Sequence, residues 1–133
     1  MTIFGAIGVA GSGMDVMRKW LDAVSDNLSN VNTARRTSED AFQARYIQAQ
    51  EITTGNGGVK VRAALLSGDT VGRLAYDPTN PLADAAGYVR YPEIDMSSQM
   101  TQLIMAQRGY QANAAVVDRA KAAYEAALQI GKA

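Results

Sequence analysis

Cysteine and histidine are both absent from this 133-residue chain. Their absence excludes disulfides, thiolate nucleophiles, histidine-based acid–base catalysis and the usual zinc sites. An excess of either charge is lacking too, since 13 basic and 13 acidic side chains give a net charge of zero. A nucleic-acid binder would show a basic stripe and a polybasic membrane anchor a Lys/Arg cluster, so neither partner is expected. Aromatics are scarce at 7%. No window approaches the roughly 18 continuous apolar residues of a membrane helix, and no membrane insertion is expected. Met1 to Ala10 has no basic n-region and is broken by Gly5 and Gly8, which predicts no cleavable secretory signal. No nucleophile–base pair can be drawn from the residues that remain. The expectation is a single domain with one modest core, no enzyme activity and no cofactor.

What is present is helical periodicity at the two ends. Ile7, Ala10, Met14, Met17, Leu21, Val24, Leu28 and Val31 recur in alternating steps of three and four. This heptad seam predicts an amphipathic helix over 7–31 that packs in coiled-coil fashion. Ser12 followed by Asp15 reads as a capping box inside it, with the glycines at 5, 8, 11 and 13 blurring the start. Asn27, Asn30 and Asn32 crowd the far end, where short amides satisfy a helix's last backbone groups. Asp95 reads as the N-cap of a second helix over 96–130. Its seam runs through Leu103, Ala106, Tyr110, Asn113, Val117, Ala120, Tyr124 and Ala127, and its length is about 50 Å at 1.5 Å per residue.

Between the helices the period changes to two. Residues 34–40 read as a polar loop, and the alternation from Phe42 to Ile47 predicts a short strand. Asn56-Gly57-Gly58 is a turn that opens a second strand, Val59 to Ala63. Val71 to Tyr76 reads as a third. Asp77-Pro78-Thr79-Asn80-Pro81 cannot be regular structure, because neither proline donates to a ladder. The expected fold is mainly α with a small β-rich insertion. Residues 1–33 and 94–133 form a terminal helical coiled-coil domain, and 34–93 form the insertion.

Each helix carries more apolar surface than one partner covers. Val9, Gly13, Val16, Trp20 and Ala23 form a second row on the first helix. Ile104, Val116, Leu128 and Ile130 lie outside the seam of the second. Either the β-rich insertion covers these rows or neighbouring molecules do, the latter making the helices elements of an assembly. Gly109 in mid-helix costs about 1 kcal/mol against alanine and points to another backbone coming close there. The candidate packing and assembly residues are Met14, Val16, Met17, Trp20, Leu21, Val24, Leu28 and Asn30 on the first helix. On the second they are Leu103, Gly109, Tyr110, Asn113, Val116, Val117 and Tyr124.

Other motifs carry little. The N-terminal glycines lack the preceding strand and the Gly-Lys-Ser/Thr of a phosphate loop. Asp77, Asp84, Glu93 and Asp95 lack the alternating ligand spacing of a calcium loop and read as turn and cap residues. Asn27-Leu28-Ser29 matches a glycosylation sequon but lies in a helix seam, where it reads as chance.

The two ends resemble the bacterial flagellar axial proteins. Ser12 to Asp15, followed by Leu21-Asp22-Ala23-Val24-Ser25-Asp26-Asn27-Leu28-Ser29-Asn30-Val31-Asn32-Thr33, is similar to the rod and hook signature, a helix ending in an Asn-Leu-Ala-Asn-rich motif. Ser29 stands for the usual alanine and Asp26 for a common asparagine. Gln107-Arg108-Gly109-Tyr110-Gln111-Ala112-Asn113 is similar to the Gln-Arg-Ala-Tyr-Glu-Ala-Asn motif of the C-terminal helix. The run from Tyr76 to Asp84, with Gly87-Tyr88-Val89 and Pro92, resembles the proximal members of the rod family. Here Asn80 replaces a frequent histidine, Glu93-Ile94 an Asn-Val pair, and 34–41 lacks the usual Gly-Pro-Tyr turn.

That resemblance implies a structural subunit of the basal-body rod, the drive shaft crossing the periplasm. The terminal helices would pair along the inside of a hollow tube, with the insertion outward. Export would be by the flagellar type III apparatus, without a cleaved signal. The implied partners are further copies, other proximal-rod proteins, the distal rod and the export-gate adaptor at the base. A self-contained helical adaptor, holding a ligand between its helices, is the competing expectation. It would have to cover the row through Val16 and Trp20 by itself.

Overall fold

The computed structural model describes residues 2–131. Two long helices, α1 (Ile3–Asn30) and α2 (Met96–Ile130), enclose four strands in the chain order: β1 (Ala44–Glu51), β2 (Val59–Ser67), β3 (Arg73–Tyr76) and β4 (Tyr88–Tyr91). β1 pairs with β2 and β3 with β4, giving two two-stranded sheets. The β3–β4 pair is antiparallel, with Arg73 opposite Tyr91 and Tyr76 opposite Tyr88. The observed architecture is thus two terminal helices with a small β region between them.

The helix ends follow from short polar side chains. Thr2 caps α1, its Oγ1 accepting the Gly5 N–H at 3.1 Å. The start therefore lies four residues before the expected one, and all four N-terminal glycines are inside the helix. Ser12 is not a cap. Its hydroxyl donates to the Val9 carbonyl at 2.7 Å and accepts the Val59 N–H at 3.0 Å, so it ties the start of β2 to mid-helix. At the other end Asn30 Nδ2 donates to the Asp26 carbonyl at 2.8 Å. Asp95 caps α2 as expected, accepting the Ser97 and Ser98 N–H groups at 3.2 and 3.1 Å.

The described residues pack as two units, to both of which the helices and the β1–β2 pair contribute. One unit holds the chain up to Leu21, Ile47–Ala63 and the chain from Ile104 onward. Here α1 and α2 run antiparallel in close contact. A Cβ built on Gly13 would lie 2.8 Å from Asn113 Oδ1, and one built on Gly109 would lie 2.7 Å from Met17 Sδ. A step of four up α1 thus matches a step of four down α2. Near the ends Phe4 meets Tyr124 edge to face, with ring centroids 5.6 Å apart. Asn113 also donates to the Gly109 carbonyl at 2.9 Å, so its amide is held at the point of closest approach. Ala10, Val16 and Ala106 are the buried apolar side chains of this unit.

The second unit comprises Asp22–Tyr46 and Ala64–Leu103. Its buried residues are small or polar: Ala23, Val24, Ala41, Ala44, Gly87, Val89 and Pro92, with Asn27 and Gln99 among them. The 34–41 loop is fastened by Arg90, whose backbone exchanges hydrogen bonds with Arg35 and whose guanidinium donates to the Thr37 carbonyl at 2.7 Å. This pairing continues β4, a strand that the sequence pattern does not predict. The proline-rich β3–β4 connection is held by carboxylates. Hydrogen bonds from Thr79 and then Asn80 hold the Asp77 carboxyl below its ordinary pKa. The Tyr88 N–H, followed by the Thr37 hydroxyl, does the same for Asp84.

The helical glycines separate into two kinds. Nothing lies within 4 Å of a Cβ at Gly8 or Gly11, whereas Gly13 faces the fixed Asn113 amide. Gly8→Ala and Gly11→Ala should each stabilise the chain by up to about 1 kcal/mol in chemical denaturation, because each lowers the backbone entropy cost of helix formation. Gly13→Ala should destabilise, since Asn113 cannot turn away without leaving the Gly109 carbonyl. Equal gains at all three positions would contradict the close helix approach.

Candidate functional site

The residues singled out on the sequence divide by environment. On α1, Val16 and Val24 are buried, and Met14, Met17, Trp20, Leu21, Leu28 and Asn30 are half-buried. On α2, Leu103, Gly109, Tyr110, Asn113 and Val117 are half-buried, whereas Val116 and Tyr124 are exposed. Met17 is brought onto Gly109 and Asn113 onto Gly13. Tyr110 lines a shallow depression of about 230 Å³ with Gly11, Met14, Asp15 and Arg18. At its rim Lys19 and Arg18 hydrogen-bond the Asp15 carboxyl and keep its pKa below the ordinary range. Asn30 closes its own helix, donating to the Asp26 carbonyl and accepting the Thr33 hydroxyl.

The second row of α1 is covered by its own chain. Val16 is 4% exposed, Gly13 and Ala23 are buried, and Val9 and Trp20 are half-buried. Of the two alternatives for this row, Val16 needs no neighbour to cover it. The surplus apolar surface lies on α2. Met105, Ala112, Val116, Ala123 and Ile130 are all exposed and follow one another by seven, four, seven and seven residues. At 100° per residue they fall within about 40° of one another, which makes a second heptad seam on α2. Ile130 is 79% exposed.

In the other unit the site is polar and closed. Asn27 is fully buried and Gln99 is 1% exposed. Asn27 Oδ1 accepts the Arg45 N–H at 2.7 Å, and its Nδ2 donates to the Arg45 carbonyl and to Gln99 Oε1, both at 2.9 Å. Gln99 in turn donates to the Tyr46 hydroxyl at 3.4 Å. One side chain of α1 thereby grips the backbone of β1 and the facing side chain of α2. Beside it Arg45 pairs with Asp26 at 2.9 Å on the surface. The amide nitrogen that a glycosylation sequon would modify is buried and bonded twice.

Neither Asn27 nor Gln99 stands among the candidate packing and assembly residues, where Asn27 reads only as a helix-end amide, although a signal is present there. The row Val9, Gly13, Val16, Trp20, Ala23 continues by four to Asn27, and the α2 seam extends back by four from Leu103 to Gln99. Polar residues at apolar seam positions mark buried polar contacts. No acidic cluster able to hold a metal occurs among the described residues, and none of their helices is long and apolar enough to cross a membrane.

Asn27→Leu should cost roughly 2–4 kcal/mol in urea unfolding, because it strands the Arg45 N–H and carbonyl. Asn27→Asp keeps the acceptor for the Arg45 N–H but aims a second acceptor at two carbonyl-type oxygens. Its carboxyl is then favoured in the protonated form, so its folded pKa is raised. A raised pKa gives stability that is present at low pH and lost as pH rises, so the deficit against the unsubstituted chain should widen between about pH 4 and pH 7. A pH-independent deficit would contradict the bonding scheme.

Residues 85–130 match the family model described as the C-terminal part of the flagellar basal body rod FlgEFG proteins. Over 135 residues the chain is 32% identical to the flagellar basal-body rod protein FlgC of Salmonella typhimurium, covering 99% of this chain and 100% of that protein. The FlgC of Bacillus subtilis is 31% identical over 150 residues, with 99% and 100% covered. That of Borreliella burgdorferi is 31% identical over 149 residues, with 98% of both chains covered. With matches running through both helices and the β region between them, the chain belongs to the FlgC family of flagellar basal-body rod proteins.

Proposed function

We propose that this chain is a structural subunit of the flagellar basal-body rod, in its proximal part, and polymerises through its terminal helices. The observation that carries the polymerisation is the seam of α2 from Met105 to Ile130, a heptad face that lies exposed on the subunit. Heptad faces are buried by other helices. In this reading α1 and α2 form an intramolecular coiled coil, and the outer seam of α2 packs against helices of neighbouring rod subunits. Residues 1–33 and 94–133 act as the assembly domain, and 34–93 as the insertion facing away from the tube. Its partners are further copies, the other proximal and distal rod proteins and the export-gate adaptor. Delivery is by the flagellar type III apparatus, and the protein acts as a building element with no catalytic step.

The burial of Val16 favours a self-contained adaptor, since that row needs no neighbour. The outer seam of α2 favours assembly, and full-length similarity to rod proteins supports the same side. Met105→Asp and Val116→Asp place charges on the outer seam, both at exposed positions. Each should abolish rod completion and swimming while leaving the helical circular dichroism of the purified chain unchanged. Wild-type swimming with both charges present would overturn polymerisation through this face.

A further inference from the structure

We propose that the buried Asn27–Gln99 pair is the register determinant of the α1–α2 pairing within the unit that holds it, and that Gln99 is a positioning residue whose loss lets the two helix segments of that unit slip by a turn.

The fully buried apolar side chains around the pair are small. In the unit that holds the pair, Ala23, Val24, Ala41, Ala44, Val89 and Pro92 are the buried apolar residues, and Val24 and Val89 are the largest of them. Methyl-sized and valine knobs fit the holes of a facing helix almost equally well one turn away. Apolar packing of this kind therefore discriminates weakly between registers. A buried amide pair discriminates strongly, because its donors and acceptors meet in one alignment only.

Asn27 is itself placed by β1. Its bonds to the N–H and carbonyl of Arg45 fix the amide plane and leave one Nδ2 hydrogen directed at Gln99 Oε1, 2.9 Å away. A slip of four residues along α2 would put Leu103 or Asp95 opposite that hydrogen. With Leu103 there, one Nδ2 hydrogen of Asn27 would lose its acceptor and Gln99 Oε1 its donor, while Asn27 stayed bonded to Arg45. With Asp95 there, the N-cap bonds to Ser97 and Ser98 would have to break. The native alignment alone satisfies all of these groups. Replacing Gln99 by an apolar residue removes this discrimination and still leaves Asn27 bonded to Arg45.

The test uses spin labels on Asp22→Cys and Ser97→Cys, both exposed positions of the unit that contains the pair, with distances read by pulsed electron resonance. Asn27 and Gln99 intact should give one narrow distance. Gln99→Met, and Gln99→Leu as a second apolar variant, should add a population displaced by one helical turn, about 5.4 Å along the axis. Gln99→Glu keeps the acceptor oxygen and should restore the single distance. Val24→Ala weakens the same core and should lower the unfolding midpoint without adding a second distance. A single unchanged distance in both apolar variants would overturn the proposal. Splitting in Val24→Ala, or loss of helical structure in both apolar variants, would equally overturn it, making the pair an ordinary stabilising contact.

Discussion

The carboxamide of Asn27 meets three partners at once, and the unit around it depends on their geometry. It completes the edge of β1 at Arg45, as another strand would, and it supplies the polar contact between α1 and α2. Two of the four largest fully buried side chains in the described protein are Asn27 and Gln99. An interior with so few large apolar groups gains little from burial, so polar matching specifies the arrangement that packing leaves loose. Removing one member strands the others, which makes this network costly to change by single steps.

The other unit solves the same problem by close approach. Glycines at 13 and 109 let Asn113 and Met17 lie against the opposite backbone. The family motif of the C-terminal helix has alanine where this chain has Gly109, and the space so gained is filled by the thioether of Met17. Thioethers adapt to irregular gaps, so methionine suits the position. In this unit the helix pair is thus built from complementary absences and insertions, with aromatic contact between Phe4 and Tyr124.

Much of this fold is legible in the residues themselves. Periodicity sets the bounds of α2 and Asp95 its cap, because helix propensity, capping and seam all agree there. The start of α1 is harder to read, because glycine signals a break locally while helix packing at Gly13 offsets its cost. Ser12 has the residue type of a cap, but its hydroxyl anchors β2, a long-range bond that no local pattern reveals. β4 is hidden for a similar reason, since Tyr88 to Tyr91 is short and lacks a two-residue turn before it. The row through Val16 is visibly apolar, yet its coverage by the chain itself depends on tertiary contacts. At the candidate site, Gly109 does mark a point of approach, though a side chain and not another backbone fills it. Asn27 and Gln99 are masked by residue type, because asparagine near a helix end ordinarily reads as a terminator.

The proposed mode of assembly rests on the division between what the subunit closes and what it leaves open. Val16 and Ala106 are buried within one chain, and the seam of α2 from Met105 to Ile130 is exposed, the face proposed to meet neighbours. The most direct test is a disulfide between Met17→Cys and Gly109→Cys, formed in basal bodies isolated from swimming cells. A bond within each chain, leaving the protein at monomer mass under non-reducing denaturing conditions, is the predicted result. Crosslinking between chains through these two positions would contradict the account, because it would mean that the inner seam is shared between subunits in the assembled rod.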